Sequence, residues 1–144
     1  MEQRLKIQEV QPAAWQALYG LETYLKTIGL SPIQKHLIKV RASQINKCAF
    51  CINMHTKEAL SSGETQQRIF LLNAWRETDL FSEEERALLA ITEEVTLISE
   101  AGLTEETYQN GIRLFGKELL AQVIMTAIVI NSWNRVAVST HLKP

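Results

Sequence analysis

The stretch Leu119-Leu120-Ala121-Gln122-Val123-Ile124-Met125-Thr126-Ala127-Ile128-Val129-Ile130 decides what kind of fold this chain makes. Ile124, Val129 and Ile130 alone would permit a β-strand, where branched side chains are well accommodated. The unbroken segment, however, runs from about Gly116 to Ser139, far longer than a strand. Its Ala, Gln and Met residues are helix formers, and Leu119, Leu120, Val123, Ala127, Ile130 and Val138 recur at helical spacing. We therefore read one long helix. Apolar side chains also fall outside a single stripe, at Leu120, Ile124, Met125, Ile128, Val129 and Trp133. A small monomer has difficulty covering a helix on every side, so a subunit interface is expected there.

Upstream punctuation yields more helices. From Pro12, the residues Trp15, Leu18, Leu21, Tyr24, Leu25 and Ile28 keep helical spacing until Gly29. Ser31-Pro32 reads as an N-cap with proline at the first helical position, opening a helix through Leu37, Ile38, Val40, Arg41 and Ile45. After a break at Asn46-Lys47, a third helix runs to about Leu60, where Ser61-Ser62-Gly63 stops it. A short helix is expected from Glu64 to Ala74, then an irregular segment over Trp75 to Asp79. Ser82-Glu83-Glu84-Glu85 has capping-box spacing ahead of Leu88, Leu89, Ile91, Val95 and Ile98, and Gly102 ends that helix. Thr104-Glu105-Glu106 starts a brief helix to about Asn110. No tandem repeat, low-complexity tract or linker interrupts the pattern, so residues 1–144 read as one all-α domain.

Composition bounds the function. Fifteen basic and sixteen acidic residues give a formal charge of -1, which offers no general attraction to nucleic acid or to an anionic membrane. Met1-Glu2-Gln3-Arg4-Leu5-Lys6 lacks the apolar core of a signal peptide, and the Leu119–Ile130 run is too short to span a bilayer. Two cysteines in 144 residues do not make the framework of a secreted disulfide-rich domain. A soluble cytoplasmic protein is expected.

Those two cysteines sit in Cys48-Ala49-Phe50-Cys51-Ile52-Asn53-Met54-His55. On a helix the offsets of three and four bring Cys48, Cys51 and His55 onto one face. That arrangement suits thiol–disulfide chemistry: one thiolate attacks, its neighbour resolves the product, and the imidazole exchanges the proton. Exposed N–H groups in the first turn favour the thiolate of Cys48, with Cys51 the more buried. Paired cysteines at helical spacing also occur as plain core residues, and a histidine alone is more often structural. The combination favours the redox reading.

Other chemistries find less support. A closed zinc site wants four ligands, whereas Cys48, Cys51 and His55 would need the distant His36 or His141; we expect no metal. No glycine-rich phosphate loop is present. Trp75-Arg76-Glu77 and Asn131-Ser132-Trp133-Asn134-Arg135 mix aromatic and basic residues without a wider basic patch. The expected roles are core packing for the indoles and pairing of Arg76 and Arg135 with carbonyls or with carboxylates such as Glu77 and Glu93.

The stretch from Lys39-Val40-Arg41-Ala42-Ser43 through Cys48, Cys51 and His55 to Ala59 resembles the carboxymuconolactone decarboxylase family, in its alkyl hydroperoxidase D-like branch. The likeness continues through Gly63-Glu64, Gln67-Arg68, Ala74-Trp75-Arg76-Glu77, Glu93 and Asn131 to Arg135. It implies a compact multi-helix fold that assembles as trimers or hexamers. It also implies an alkyl hydroperoxide reductase-like peroxidase that needs no cofactor. A hydroperoxide oxidises Cys48 and Cys51 to a disulfide, His55 serves the proton relay, and a dithiol protein restores the thiols. In that resemblance Cys51 is the peroxidatic thiol, and Cys48 resolves and receives the reductant.

One departure stands out: the family's relay usually has a glutamate twelve residues before the first cysteine, where this chain has His36. A histidine shuttles protons with a different charge and reach. Glu93 is a candidate substitute base projecting into the same pocket, and Glu58, one turn past His55, could orient the ring, although an ordinary surface glutamate is the plainer reading of Glu58. Two other functions stay open at this point, a lactone decarboxylase and a noncatalytic oligomeric interaction protein. Inert thiols would mark either of them.

Overall fold

The computed structural model describes all of residues 1–144, and its only regular elements are helices. They are α1 (Ile7–Val10), α2 (Pro12–Leu25), α3 (Pro32–Ile45), α4 (Ala49–Ser61), α5 (Gln66–Leu71), a 3₁₀ segment (Leu72–Glu77), α6 (Glu83–Thr96), α7 (Ile98–Ala101) and α8 (Glu105–Thr140). Local chemistry sets several boundaries. Ser31 and Ser82 each accept the N3 backbone N–H while Gln34 and Glu85 reach back to the cap N–H, so both capping boxes close. Within α8, Gly116 adopts φ 67° and ψ 175°, outside the helical region, and divides the element into limbs 105–115 and 117–140. The two separate helices expected there are thus the limbs of one bent element.

Three expectations need correction. The helix begun at Pro12 stops at Leu25, and Ile28 reaches the core from the following turn. The segment around Trp75 is not irregular but winds as a 3₁₀ helix to Glu77, with a local kink at Ala74. The helix from Ser82 ends at Thr96, before Ile98 and Gly102.

The second limb of α8 is the central element, packed chiefly on α6 and α3. Its Leu120, Val123, Ala127 and Ile130 meet Leu37, Ile38 and Val40 of α3 and Leu88, Leu89 and Ile91 of α6 in one buried cluster. The helix has the length and hydropathy of a membrane span by composition, but these side chains fill the core. Leu120 and Val129, expected to be surplus apolar surface, are buried within the chain. Ile124 packs on the core, and Trp133 also meets Trp15 edge-on with ring centroids 4.9 Å apart. The apolar surface left open on this limb is consequently small, with Ile128 and Val138 its exposed large residues.

Candidate active site

A buried polar network fixes the turn that delivers the cysteines. Asn134 of α8 donates to Ser43 Oγ (3.0 Å), and Asn46 donates to Asn131 Oδ1 (2.9 Å) and Asn134 Oδ1 (2.8 Å). Asn131 in turn donates to Thr96 Oγ1 at 2.9 Å. These bonds tie the end of α3 to α8 and α6. Lys47 then takes the left-handed conformation (φ 54°), and the Cys48 N–H returns to the Ser43 carbonyl at 3.0 Å. The chain thus reverses over two residues, and Cys48 becomes the N-cap of α4 rather than part of its first turn.

At that cap, Cys48 Sγ accepts the Cys51 backbone N–H at 3.3 Å and is joined to Cys51 Sγ as a disulfide, with Cα atoms 5.3 Å apart. Residue identity accounts for this: a cap sulfur sits over the N–H of the residue three further on, where the second thiol is attached. The exposure expected for Cys48 is not found, since Cys48 and Cys51 are 1% and 2% exposed and pack with Ala137, Phe50 and Leu142. Cys48 nevertheless lines a cleft of about 230 Å³, mostly apolar, bounded by Phe50, Ala137 and Leu142. Cys51 does not line it.

One turn along α4, His55 is buried and its Nδ1 lies 2.7 Å from Glu58 Oε2. This bond places the ring proton on Nδ1, donating to the carboxylate, and leaves the Nε2 lone pair available. In the disulfide form the imidazole makes no hydrogen bond to either sulfur. Hydrogen bonding from His55 holds the Glu58 carboxyl below the ordinary glutamate range, despite partial burial acting the other way. Glu58 is therefore not an idle surface residue; the signal was its position three past His55, on the adjoining turn.

His36 reaches the same spot from α3. Its Nδ1 lies 3.9 Å from Glu58 Oε2, is buried, and has no hydrogen-bond partner. Burial pushes its pKa down, with the positive charge of nearby Lys39 acting the same way and Glu58 opposing it. Glu58, on α4, thus places a carboxylate beside both His36 and His55.

Glu93 is engaged elsewhere. Its Oε1 accepts from Arg41 Nε and Trp75 Nε1, both at 2.8 Å, and its Oε2 accepts from Arg76. Burial pushes the Glu93 carboxyl up, but hydrogen bonds from Arg76, Trp75 and Arg41 outweigh it and leave the group below the ordinary value. With no hydrogen bond to a thiol or to His55, and with both oxygens occupied by donors, Glu93 clamps α6 to α3 and the 3₁₀ segment. Of the pairings expected for the two arginines, Arg76 takes a carboxylate, that of Glu93, and Arg135 takes a carbonyl, that of Asn131, together with the Asn131 side-chain oxygen. No sequence pattern announces the polar network of Ser43, Asn46, Asn131 and Asn134, because single polar residues in apolar helices do not name their partners.

Comparison with known proteins agrees with this architecture. The Carboxymuconolactone decarboxylase family model matches residues 12–94. YdfG, an uncharacterised protein of Bacillus subtilis (strain 168), is 38% identical over 139 residues, 96% of this chain and 95% of its own length. The uncharacterised YnjA of Escherichia coli (strain K12) is 26% identical over 84 residues, 58% of this chain and 43% of its own. Among solved structures, ATU0492 of Agrobacterium tumefaciens, a protein of unknown function with a suggested role as the antioxidant defence protein AhpD, superposes with a TM-score of 0.95. It is 37% identical, and the match covers 99% of this chain and 97% of that one. A peroxidase-related protein of Silicibacter sp. TM1040, 23% identical, shares the fold with a TM-score of 0.78, covering 90% and 69% respectively. The chain belongs to the carboxymuconolactone decarboxylase family and has its AhpD-like, all-α fold.

Proposed function

We propose that this protein is a cysteine-pair peroxidase that reduces hydroperoxides through Cys48 and Cys51, needing no cofactor for that reaction. The observation that carries the reading is the Cys48–Cys51 disulfide at the start of α4, one turn from a buried histidine held by a carboxylate. The antioxidant role suggested for the Agrobacterium relative supports the same chemistry.

In the reduced protein, His55 Nε2 takes the Cys51 thiol proton. The thiolate attacks the terminal peroxide oxygen, the O–O bond breaks, and Cys51 becomes a sulfenic acid while the departing alkoxide takes the proton back as an alcohol. Cys48 then attacks the Cys51 sulfur; the S–S bond forms and the hydroxyl leaves as water with the Cys48 proton. The balance is one hydroperoxide and two thiols to one alcohol, one water and one disulfide. Glu58 fixes the His55 tautomer throughout and stabilises the imidazolium formed in the first step. Because the cleft reaches Cys48, a dithiol protein enters there, forms a mixed disulfide with Cys48 and releases Cys51. A reducing cytoplasm and a trimeric or hexameric assembly belong to the same reading.

Trapping of the sulfenic acid tests the division of labour. Cys48→Ala should accumulate a trappable sulfenic acid on treatment with an organic hydroperoxide, and Cys51→Ala should give none. The reverse pattern would make Cys48 the attacking thiol.

A further inference from the structure

We propose that His36, His55 and Glu58 form a binding site for a divalent transition metal ion of the zinc class, separate from the cysteine pair. One ligand atom from each of the three lies within 4.8 Å of the others. Two imidazoles and one carboxylate are a donor set that zinc takes in three-ligand sites, leaving one coordination position for solvent. Ligand atoms about 2.0–2.1 Å from a tetrahedral zinc stand roughly 3.3 Å from one another. The separations found, 2.7 Å from His55 Nδ1 to Glu58 Oε2 and 3.9 Å from His36 Nδ1 to the same oxygen, bracket that distance. Glu58 is the half-exposed member and the one free to adjust, whereas the two histidines are held on packed helices.

A second observation points to a ligand. His36 Nδ1 is a buried polar atom with no hydrogen-bond partner, and such an atom costs free energy unless something outside the protein's own bonds satisfies it. A metal ion in the cluster would take the His36 lone pair and replace the proton that His55 Nδ1 shares with Glu58. The thiols contribute nothing here, because both sulfurs are bonded to each other. One consequence rests on the peroxidase reading above: bound metal fixes His55 as a ligand, so the occupied site slows peroxide reduction.

The test uses the tag-free, full-length protein with its disulfide formed, which removes thiolate as a competing ligand. Zinc(II) is titrated by calorimetry, and cobalt(II) reports geometry through its visible absorption. We expect one metal ion per chain, cobalt bands without a sulfur charge-transfer band, and affinity at least about tenfold weaker in His36→Ala and in the isosteric Glu58→Gln. His141→Ala should bind as the wild type does. Absence of binding by the oxidised wild type, or undiminished binding by both His36→Ala and Glu58→Gln with native circular dichroism, would overturn the site. In the reduced protein, where the thiolates also bind zinc, the slowing of thiol oxidation should set in at lower zinc concentration in the wild type than in His36→Ala. Metal binding with thiols inert to peroxide would instead count against the peroxidase reading and leave the metal site standing.

Discussion

Replacing Glu93 separates a structural clamp from a catalytic base. Glu93→Ala removes the acceptor for Arg41, Trp75 and Arg76 together. Trp75 is 5% exposed, so its orphaned indole N–H costs about 1–3 kcal/mol if no water replaces the carboxylate. Arg41 has a side-chain exposure of 15% and retains only a 3.2 Å bond to Gln44, so its loss of a charge-assisted partner is worth about 1.5–3 kcal/mol. Arg76 is 55% exposed, and its pairing adds little because solvent screens it. Against these stands the relieved desolvation of the carboxylate, leaving a net loss of roughly 2–4 kcal/mol. For a chain of this size that is a fall in Tm of roughly 6–14 °C. Thermal unfolding followed by circular dichroism measures it, with peroxide-driven thiol loss recorded on the same samples below the transition. A Tm within about 2 °C of wild type would refute the clamp. A thiol oxidation rate more than about tenfold lower in the folded variant would show that Glu93 belongs to the chemistry after all.

Three further perturbations probe other parts of the account. Because His36 is held below its ordinary pKa, the unfolded state binds the extra proton first; stability should fall as pH drops below about 6.5, and His36→Gln should flatten that part of a denaturation-versus-pH curve. Glu58 and Glu93, both depressed, contribute stability that is present above about pH 4.3 and lost as pH falls through their folded values, so a further acid limb should remain in His36→Gln. A Cβ at Gly111 would lie 2.9 Å from Leu120 Cδ1 and 3.2 Å from Ile91 Cδ1, so Gly111→Ala should lower stability by roughly 1–3 kcal/mol in urea melts despite the gain in helix propensity. Asn134→Ala leaves Ser43 without a donor and Asn46 with a single acceptor; it should cost about 1–3 kcal/mol and raise amide exchange at Lys47 and Cys48, whereas unchanged exchange there would dissociate the network from the cysteine turn.

How far the sequence reveals the molecule depends on how local the causes are. The capping residues Ser31 and Ser82 act within one turn, and the long apolar period of 117–140 is set by its own spacing; both are legible and both are found. Trp75 was harder because the 3₁₀ turn is held by Arg86, from α6, donating to the Trp75 and Thr78 carbonyls, a tertiary cause. The buried face of α8 is wider than its own periodicity indicates, since a helix that packs on α2, α3 and α6 buries more than one stripe. At the site, Cys48, Cys51 and His55 share one helix and were visible together. The approach of His36 to Glu58 joins two helices, so no spacing rule announces it. Glu93 is taken up by three donors from two other elements, a tertiary arrangement that its own sequence neighbours do not encode.

The most direct test of the peroxidase account is stopped-flow reaction of the fully reduced protein with one equivalent of an organic hydroperoxide, counting thiols and alcohol. A cysteine-pair peroxidase loses both thiols per peroxide consumed, forms one alcohol and ends with an intramolecular Cys48–Cys51 disulfide. Thiols that survive excess hydroperoxide in the folded, reduced protein would contradict it.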